Sequence, residues 1–279
     1  MDLLTLDQIN AAAERLGPVL RQTPVIASRV LSDRTGGQVW LKCENLQRTG
    51  SFKPRGAYNR IVGLSVEDRA RGVVAASAGN HAQGVAWAAT QLGIASTVFM
   101  PVNVALPKLV ATKAYGAQVH LVGETIDDAL VAALEYAQQH GAVLIATIVV
   151  PTGGGGLIAG IAAAVHHLAP QVRVFGVQAA GAAAWPGSLA AGAPVRAESM
   201  STMADGIAVA LPGVIPFAHV QAFVDSVQTV SEEALSRALL LCMERAKLIV
   251  EPAGAAAVAA LMTSAPELAL HGPVCAVLS

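Results

Sequence analysis

The chain has 279 residues and a formal net charge of −1, with 18 lysines and arginines against 19 aspartates and glutamates. Such an even balance leaves no electrostatic footprint for nucleic acid or an anionic membrane surface, and neither is expected as a partner. Hydrophobic residues make up 54% of the chain and charged ones 13%; this supports one large domain or two modest ones, and the many small alanines suggest tightly packed helices and a buried homo-oligomer surface, in a dimer or a tetramer.

In chain order, Thr5-Leu6-Asp7-Gln8 reads as a capping box that opens a helix to about Leu16. Ser65 to Asp68 and Thr125 to Asp128 have the same form, and Ser231-Glu232-Glu233 starts a further helix with acids in its first turn. Strand-like runs lie at Val39-Trp40-Leu41, Val73 to Ala76, Thr97 to Met100, Val119 to Val122, Val172 to Val177 and Val274 to Leu278. Helical patterns separate most of them, which argues for an α/β protein with a mostly parallel sheet. Ala142 to Val165 carries no charge over more than the roughly 18 residues that flag a membrane span. Pro151 and four glycines interrupt it, so it reads as strand, loop and helix. Cys43, Cys242 and Cys275 are scattered and odd in number, which fits a reducing, cytoplasmic compartment without structural disulfides. The first residues lack the basic-then-apolar pattern of a secretory leader.

Three segments carry chemistry. In Thr49-Gly50-Ser51-Phe52-Lys53-Pro54-Arg55-Gly56-Ala57 a lysine stands at a turn, with an aromatic ring before it and a proline after it. Proline favours the first helical position, so Lys53 is expected at a helix start, where the dipole disfavours a protonated ammonium. Such a lysine suits Schiff-base chemistry. In Ser77-Ala78-Gly79-Asn80-His81-Ala82-Gln83-Gly84 a strand turns into a helix; the free N–H groups there, with Ser77, Asn80 and His81, can hold a carboxylate. Gly153-Gly154-Gly155-Gly156-Leu157 lies between Ile148-Val149-Val150 and an apolar helix; glycines let the backbone close on a phosphate that the helix N-terminus favours.

Together these segments resemble the pyridoxal-phosphate (PLP) enzymes of the tryptophan-synthase-β-like fold (fold type II), and most of all the serine/threonine dehydratases of the catabolic threonine dehydratase type. Met203-Ala204-Asp205-Gly206-Ile207-Ala208-Val209 and Val250-Glu251-Pro252-Ala253-Gly254-Ala255-Ala256 extend the match in the family's order. The resemblance implies an α/β protein of two domains with the cofactor in the cleft between them: residues 1–71 and 148–279 form the large domain and 72–147 the small one. It implies a lyase that eliminates water and ammonia from L-threonine or L-serine, a small-molecule amino-acid substrate. Lys53 would hold PLP as a Schiff base and take the α-proton, with Phe52 beside the pyridine ring and Asn80 on its phenolic oxygen. Gly153, Gly154, Gly155, Gly156 and Leu157 would cradle the phosphate, and Ser279 would pair with the pyridine nitrogen. Ser77, Ala78, Asn80 and His81 would surround the substrate carboxylate, with Ser77 among the catalytic groups. Glu251 would lie near the cofactor.

Three alternatives compete. A serine racemase on the same fold needs a proton-transferring side chain where this chain has Ala78, and racemases of this type bind a divalent cation through carboxylates where this chain has Gln178, Ala182 and Ala184; no metal is expected there. A nicotinamide-dependent dehydrogenase could use Gly154 to Ala159 as G-x-G-x-x-A, but its ribose-binding acid is replaced by Gln178. A silent PLP-binding protein would not need the intact Lys53 and Ser77 to Gly84 segments. Family members also carry a further stretch, with a Pro-Phe-Asp-Asp-like turn and Gly-Gln-Gly-Thr, where Leu144 to Thr147 runs straight into Ile148. They continue Ser-Gly-Gly-Asn where this chain has Ser279. Both departures lead to the expectation of a longer natural chain. An intact mass above 28.4 kDa is the expected result for the protein isolated from its source, and a match to that value refutes it.

Overall fold

Strands buried on both faces need continuous apolar runs, and parallel ones need crossover helices. Val73–Ala76 meets the first condition and is buried throughout, and Ser96–Met100 is also buried at every residue although it opens on the polar Ser96 and Thr97. The structure, a computed structural model, describes residues 3–77, 79–124, 151–168, 173–263 and 274–279, together with 132, 135, 136, 139, 143 and 144. The described strands are β1 (Val25–Ala27), β2 (Val39–Cys43), β3 (Val73–Ala76), β4 (Ser96–Met100), β5 (Gln118–Leu121), β6 (Val143–Leu144), β7 (Phe175–Ala179), β8 (Ser226–Val230) and β9 (Val274–Leu278).

The chain divides into two compact units. The first comprises Met1–Ala11, Gln22–Leu46 and Val149–Ser279. In it β2 pairs with β1 antiparallel and with β9 parallel, and β7 pairs with β8 parallel. Its core gathers Leu31, Leu41, Val177, Leu235, Val258 and Leu278. Alanines dominate the helix Ala256–Thr263, so this core packs backbone closely against backbone.

The second unit comprises Ala12–Arg21 and Gln47–Ile148. Its four parallel strands run in the order β5-β4-β3-β6. Ile61, Val73, Ala75, Val85 and Ala88 form much of the core under the helices Lys53–Val62 and Asn80–Gln91. Residues 12–21 and 47–71, which the resemblance groups with the larger domain, fall in this unit because Leu16 and Leu20 join its core and the Lys53–Val62 helix packs on the Asn80–Gln91 helix.

The local signals act as expected. Thr5 N–H donates to Gln8 Oε1 at 3.0 Å and Gln8 N–H to Thr5 Oγ1 at 3.4 Å, the reciprocal pair of a capping box, and the helix runs Leu6–Leu16. Ser65 Oγ accepts from Asp68 N–H at 3.1 Å, and Ser231 Oγ from Ala234 N–H at 3.2 Å. Thr125 to Asp128 and Ile148 to Val150 lie outside the described residues. β7 begins at Phe175 and reaches Ala179, later than the run Val172 to Val177 suggests. Among the described residues, no helix is long and apolar enough to cross a membrane.

Cys43 and Cys242 are free and buried. Burial pushes the Cys242 thiol up to about 11, with Cys43 adding to the shift, and raises Cys43 itself. From about pH 9, the ordinary thiol value, to about pH 11, the unfolded chain releases the Cys242 proton while the folded one keeps it, so this group's contribution to stability is lost as pH rises. Denaturant titrations at pH 8.5 and 10.5 should therefore show a smaller loss of stability for Cys242→Ala than for the parent. Equal losses would contradict the burial of that thiol.

Candidate active site

The second unit builds a lysine into its interior. Lys53 is the first residue of its helix, with Pro54 in the first turn. The chain has five lysines, at 42, 53, 108, 113 and 247, and only Lys53 is buried, at 8% exposure. Its Nζ lies 5.0 Å from the centre of the Phe52 ring, within cation–π range. Just before it, Thr49 Oγ1 and Ser51 Oγ are buried hydroxyls without a hydrogen-bond partner. Buried hydroxyls are normally satisfied, so two orphans beside a buried lysine mark a place shaped for another polar group.

The Ser77 to Gly84 segment joins this lysine directly. Gly84 faces Lys53 so closely that a methyl group there would come within 2.9 Å of Lys53 Cβ and 3.0 Å of its carbonyl carbon. The Asn80–Gln91 helix carries no acid in its first turn. His81 is buried, while Ser77 and Asn80 are half-buried. Ser77 Oγ accepts from Gly79 N–H at 3.2 Å, which tightens the turn. Lys108 Nζ lies 3.6 Å from where a Gly79 Cβ would stand. A cation and a helix start therefore face the same turn, and both favour an anion. Ala78 lies outside the described residues.

The first unit holds the remaining candidates. Thr152 N–H donates to Val177 O at 3.0 Å and Thr152 Oγ1 accepts from Val177 N–H at 3.1 Å, pinning the start of the glycine loop to β7. Gly155 adopts φ +92, in the left-handed region, and Gly156 begins the helix Gly156–Leu168, again without an acid in the first turn. Leu157 is half-buried in that turn. A Cβ on Gly154 would meet only Val209, at 3.8 Å, so one side of the loop is open. Glu251 precedes a short 3-10 turn, Pro252–Ala255, and its side chain makes no capping bond. Its Oε1 lies 3.1 Å from a Cβ built on Gly206. Ser279 is buried directly after β9, and its carbonyl oxygen would overlap a Cβ built on Gly254, so only glycine fits at 254. The loop, the Met203 to Val209 segment, Glu251 and Ser279 are thus linked in one unit.

The sequence of the chain matches the family described as pyridoxal-phosphate dependent enzyme over residues 16–148 and 132–279. The chain belongs to this family. An L-threonine ammonia-lyase of Thermotoga maritima is 44% identical over 286 residues, covering 93% of this chain and 71% of that relative. Among solved structures, maize serine racemase superposes with a TM-score of 0.95 at 30% identity, covering 100% of this chain and 93% of that one. The processed form of threonine deaminase isoform 2 from Solanum lycopersicum superposes with a TM-score of 0.90 at 32% identity, covering 99% and 90%. The fold is that of the PLP enzymes of fold type II, and the cofactor is PLP. The residues present fit it: one buried lysine against an aromatic ring, orphaned hydroxyls beside that lysine, and an open glycine loop at a helix start.

Gln178 stands where the resemblance would put a racemase cation site. Gln178 is fully buried; its Nε2 donates to Ala182 O at 3.3 Å and its Oε1 accepts from Trp185 N–H at 2.8 Å. Among the described residues no group of three His, Cys, Asp or Glu side chains is arranged to hold a metal. His166 stacks on Phe223, with ring centres 4.5 Å apart.

Sequence reading missed the orphaned hydroxyls, Lys108 and Trp185. Trp185 had a signal: it is one of only three tryptophans in a chain that is 4% aromatic, and it stands alone among alanines. Gly84→Ala should destabilise the protein by about 1–3 kcal/mol through overpacking against Lys53 and lower its uptake of PLP. Denaturant titration and cofactor stoichiometry check this, and parent-like values in both would contradict the close approach.

Proposed function

We propose that the protein is an ammonia-lyase that converts L-threonine, and less readily L-serine, to the 2-oxo acid and ammonia, with Lys53 as its catalytic lysine. The observation that carries the reading is that Lys53 alone of the lysines is buried, beside Phe52 and against the helix that opens at Asn80. The names of the relatives support the substrate.

Bound PLP supplies an electron-withdrawing ring that acidifies the α-proton of an amino acid joined to it. Lys53 would hold the cofactor, and its amine would serve as the base for the α-proton. The N–H groups at the start of the Asn80 helix, with Ser77 and His81 beside them, would bind the substrate carboxylate, and Asn80 would also orient the ring. Gly153 to Leu157 would bind the phosphate, and Phe52 would limit movement of the ring. Ser279 would offer the pyridine nitrogen a neutral hydroxyl in place of a carboxylate, which suits elimination of a β-hydroxyl. Glu251 would lie near the cofactor, as the resemblance implies.

Racemisation is the second reading, favoured by the likeness to maize serine racemase. It needs a proton donor on the face opposite the lysine. Ala78 offers none, so elimination is preferred. We further place the protein in the cytoplasm, as a homo-oligomer. Its free cysteines suit a reducing compartment, and exposed Leu240, Met243 and Ile249 suit an interface.

The test is PLP-loaded protein with L-threonine, followed by assay of 2-oxobutanoate. The parent should form it, and Lys53→Ala should lower kcat/KM by at least about 10². A Lys53→Ala variant with parent activity would overturn the assignment. D-Serine formed from L-serine without any oxo acid would select the racemase.

A further inference from the structure

The glycine loop is held from behind by a stacked aromatic pair. Trp185 is wholly buried, and its ring stacks on Phe217 with centres 5.9 Å apart and planes 16° from parallel. Trp185 Nε1–H donates to Gly153 O at 2.6 Å. Phe217 belongs to the helix Val214–Phe223. The residue before that helix, Gly213, donates its N–H to Gly154 O at 3.1 Å and accepts from Phe217 N–H at 2.8 Å. Gly155 O accepts from Ala159 N–H at 2.9 Å. Three successive carbonyls of the loop are thus tied to the protein.

A trans peptide sets its C=O and the following N–H in opposite directions. With the carbonyls of Gly153, Gly154 and Gly155 tied back, the N–H groups of Gly154, Gly155 and Gly156 face the other way, at the start of a helix. That is the arrangement an anion needs. Trp185 also sets the shape of the loop. A Cβ on Gly155 would overlap Trp185 Cζ2 and stand 3.0 Å from Pro216 Cβ, so the loop lies against these side chains with no room for a larger residue. Trp185 is itself held by Gln178, whose Oε1 accepts its backbone N–H at 2.8 Å.

The geometry points to Trp185 as a positioning residue for phosphate recognition: its indole N–H and its ring, braced by Phe217, hold the glycine loop so that successive N–H groups face the phosphate of PLP. This rests on the reading of the loop as the phosphate site. Trp185 touches neither substrate nor cofactor in this role, so its effect must be specific to the phosphate.

The experiment compares the affinity of the apo-protein for PLP and for pyridoxal, the same ring without its phosphate. Trp185→Phe keeps an aromatic ring for the stack and removes the donor to Gly153 O. It should weaken PLP binding about tenfold, equivalent to ~1.4 kcal/mol, while pyridoxal affinity stays within about twofold of the parent. Phe217→Leu should shift PLP binding in the same direction by less, and it carries the test if Trp185→Phe shows no cooperative thermal transition. Equal losses for both ligands, or no loss in either folded variant, would overturn the positioning role. A parent that binds PLP no better than pyridoxal would instead overturn the phosphate reading of the loop, and the role of Trp185 with it.

Discussion

Putting a lysine under the protein surface is the constraint on which the second unit depends. Removing an ammonium from water costs several kcal/mol unless polar or aromatic groups offset it. A merely structural lysine would extend its head to solvent along its apolar stem, as the exposure of Lys113 and Lys247 allows. Lys53 is buried instead. Phe52 contributes a cation–π contact, and Gly84 lets the neighbouring helix come close enough to cover its backbone. The same approach brings the anion-favouring start of the Asn80 helix alongside the lysine. One missing side chain, at position 84, therefore brings the buried lysine against the Ser77 to Gly84 turn.

The first unit follows a different logic, in which backbone groups rather than charged side chains shape the proposed phosphate loop. Its glycine loop is pinned by Thr152 to β7 and tied back through three carbonyls. No charged side chain is needed in the helix's first turn, because the helix start and the N–H groups supply the positive potential. This economy of charge agrees with a chain that is only 13% charged. Gln178 shows it again: a neutral amide with one end donating and the other accepting ties the loop after β7 together.

What was legible in the sequence was what is local. The capping boxes at Thr5 and Ser65 act within four residues, and their helices form where the motifs stand. β3 and β9 are unbroken apolar runs, and their limits coincide with the runs themselves. β1 and β8 escaped notice because neither is a buried run nor a clean alternation; their stability comes from pairing with β2 and β7. At the site, Lys53, the Ser77 to Gly84 turn and the glycine loop stood out by composition and order. The contact of Gly84 with Lys53, the brace of Trp185 on Gly153 and the approach of Ser279 to Gly254 join residues 25 or more positions apart. No periodicity or spacing encodes such contacts, and they emerge only from packing.

The central claim is that Lys53 carries the cofactor. The direct measurement is borohydride reduction of the PLP-loaded protein, followed by proteolysis and mass spectrometry of the phosphopyridoxyl-labelled peptide. The account predicts one label per chain, on Lys53. A label on Lys42, Lys108, Lys113 or Lys247 in place of Lys53 would contradict it.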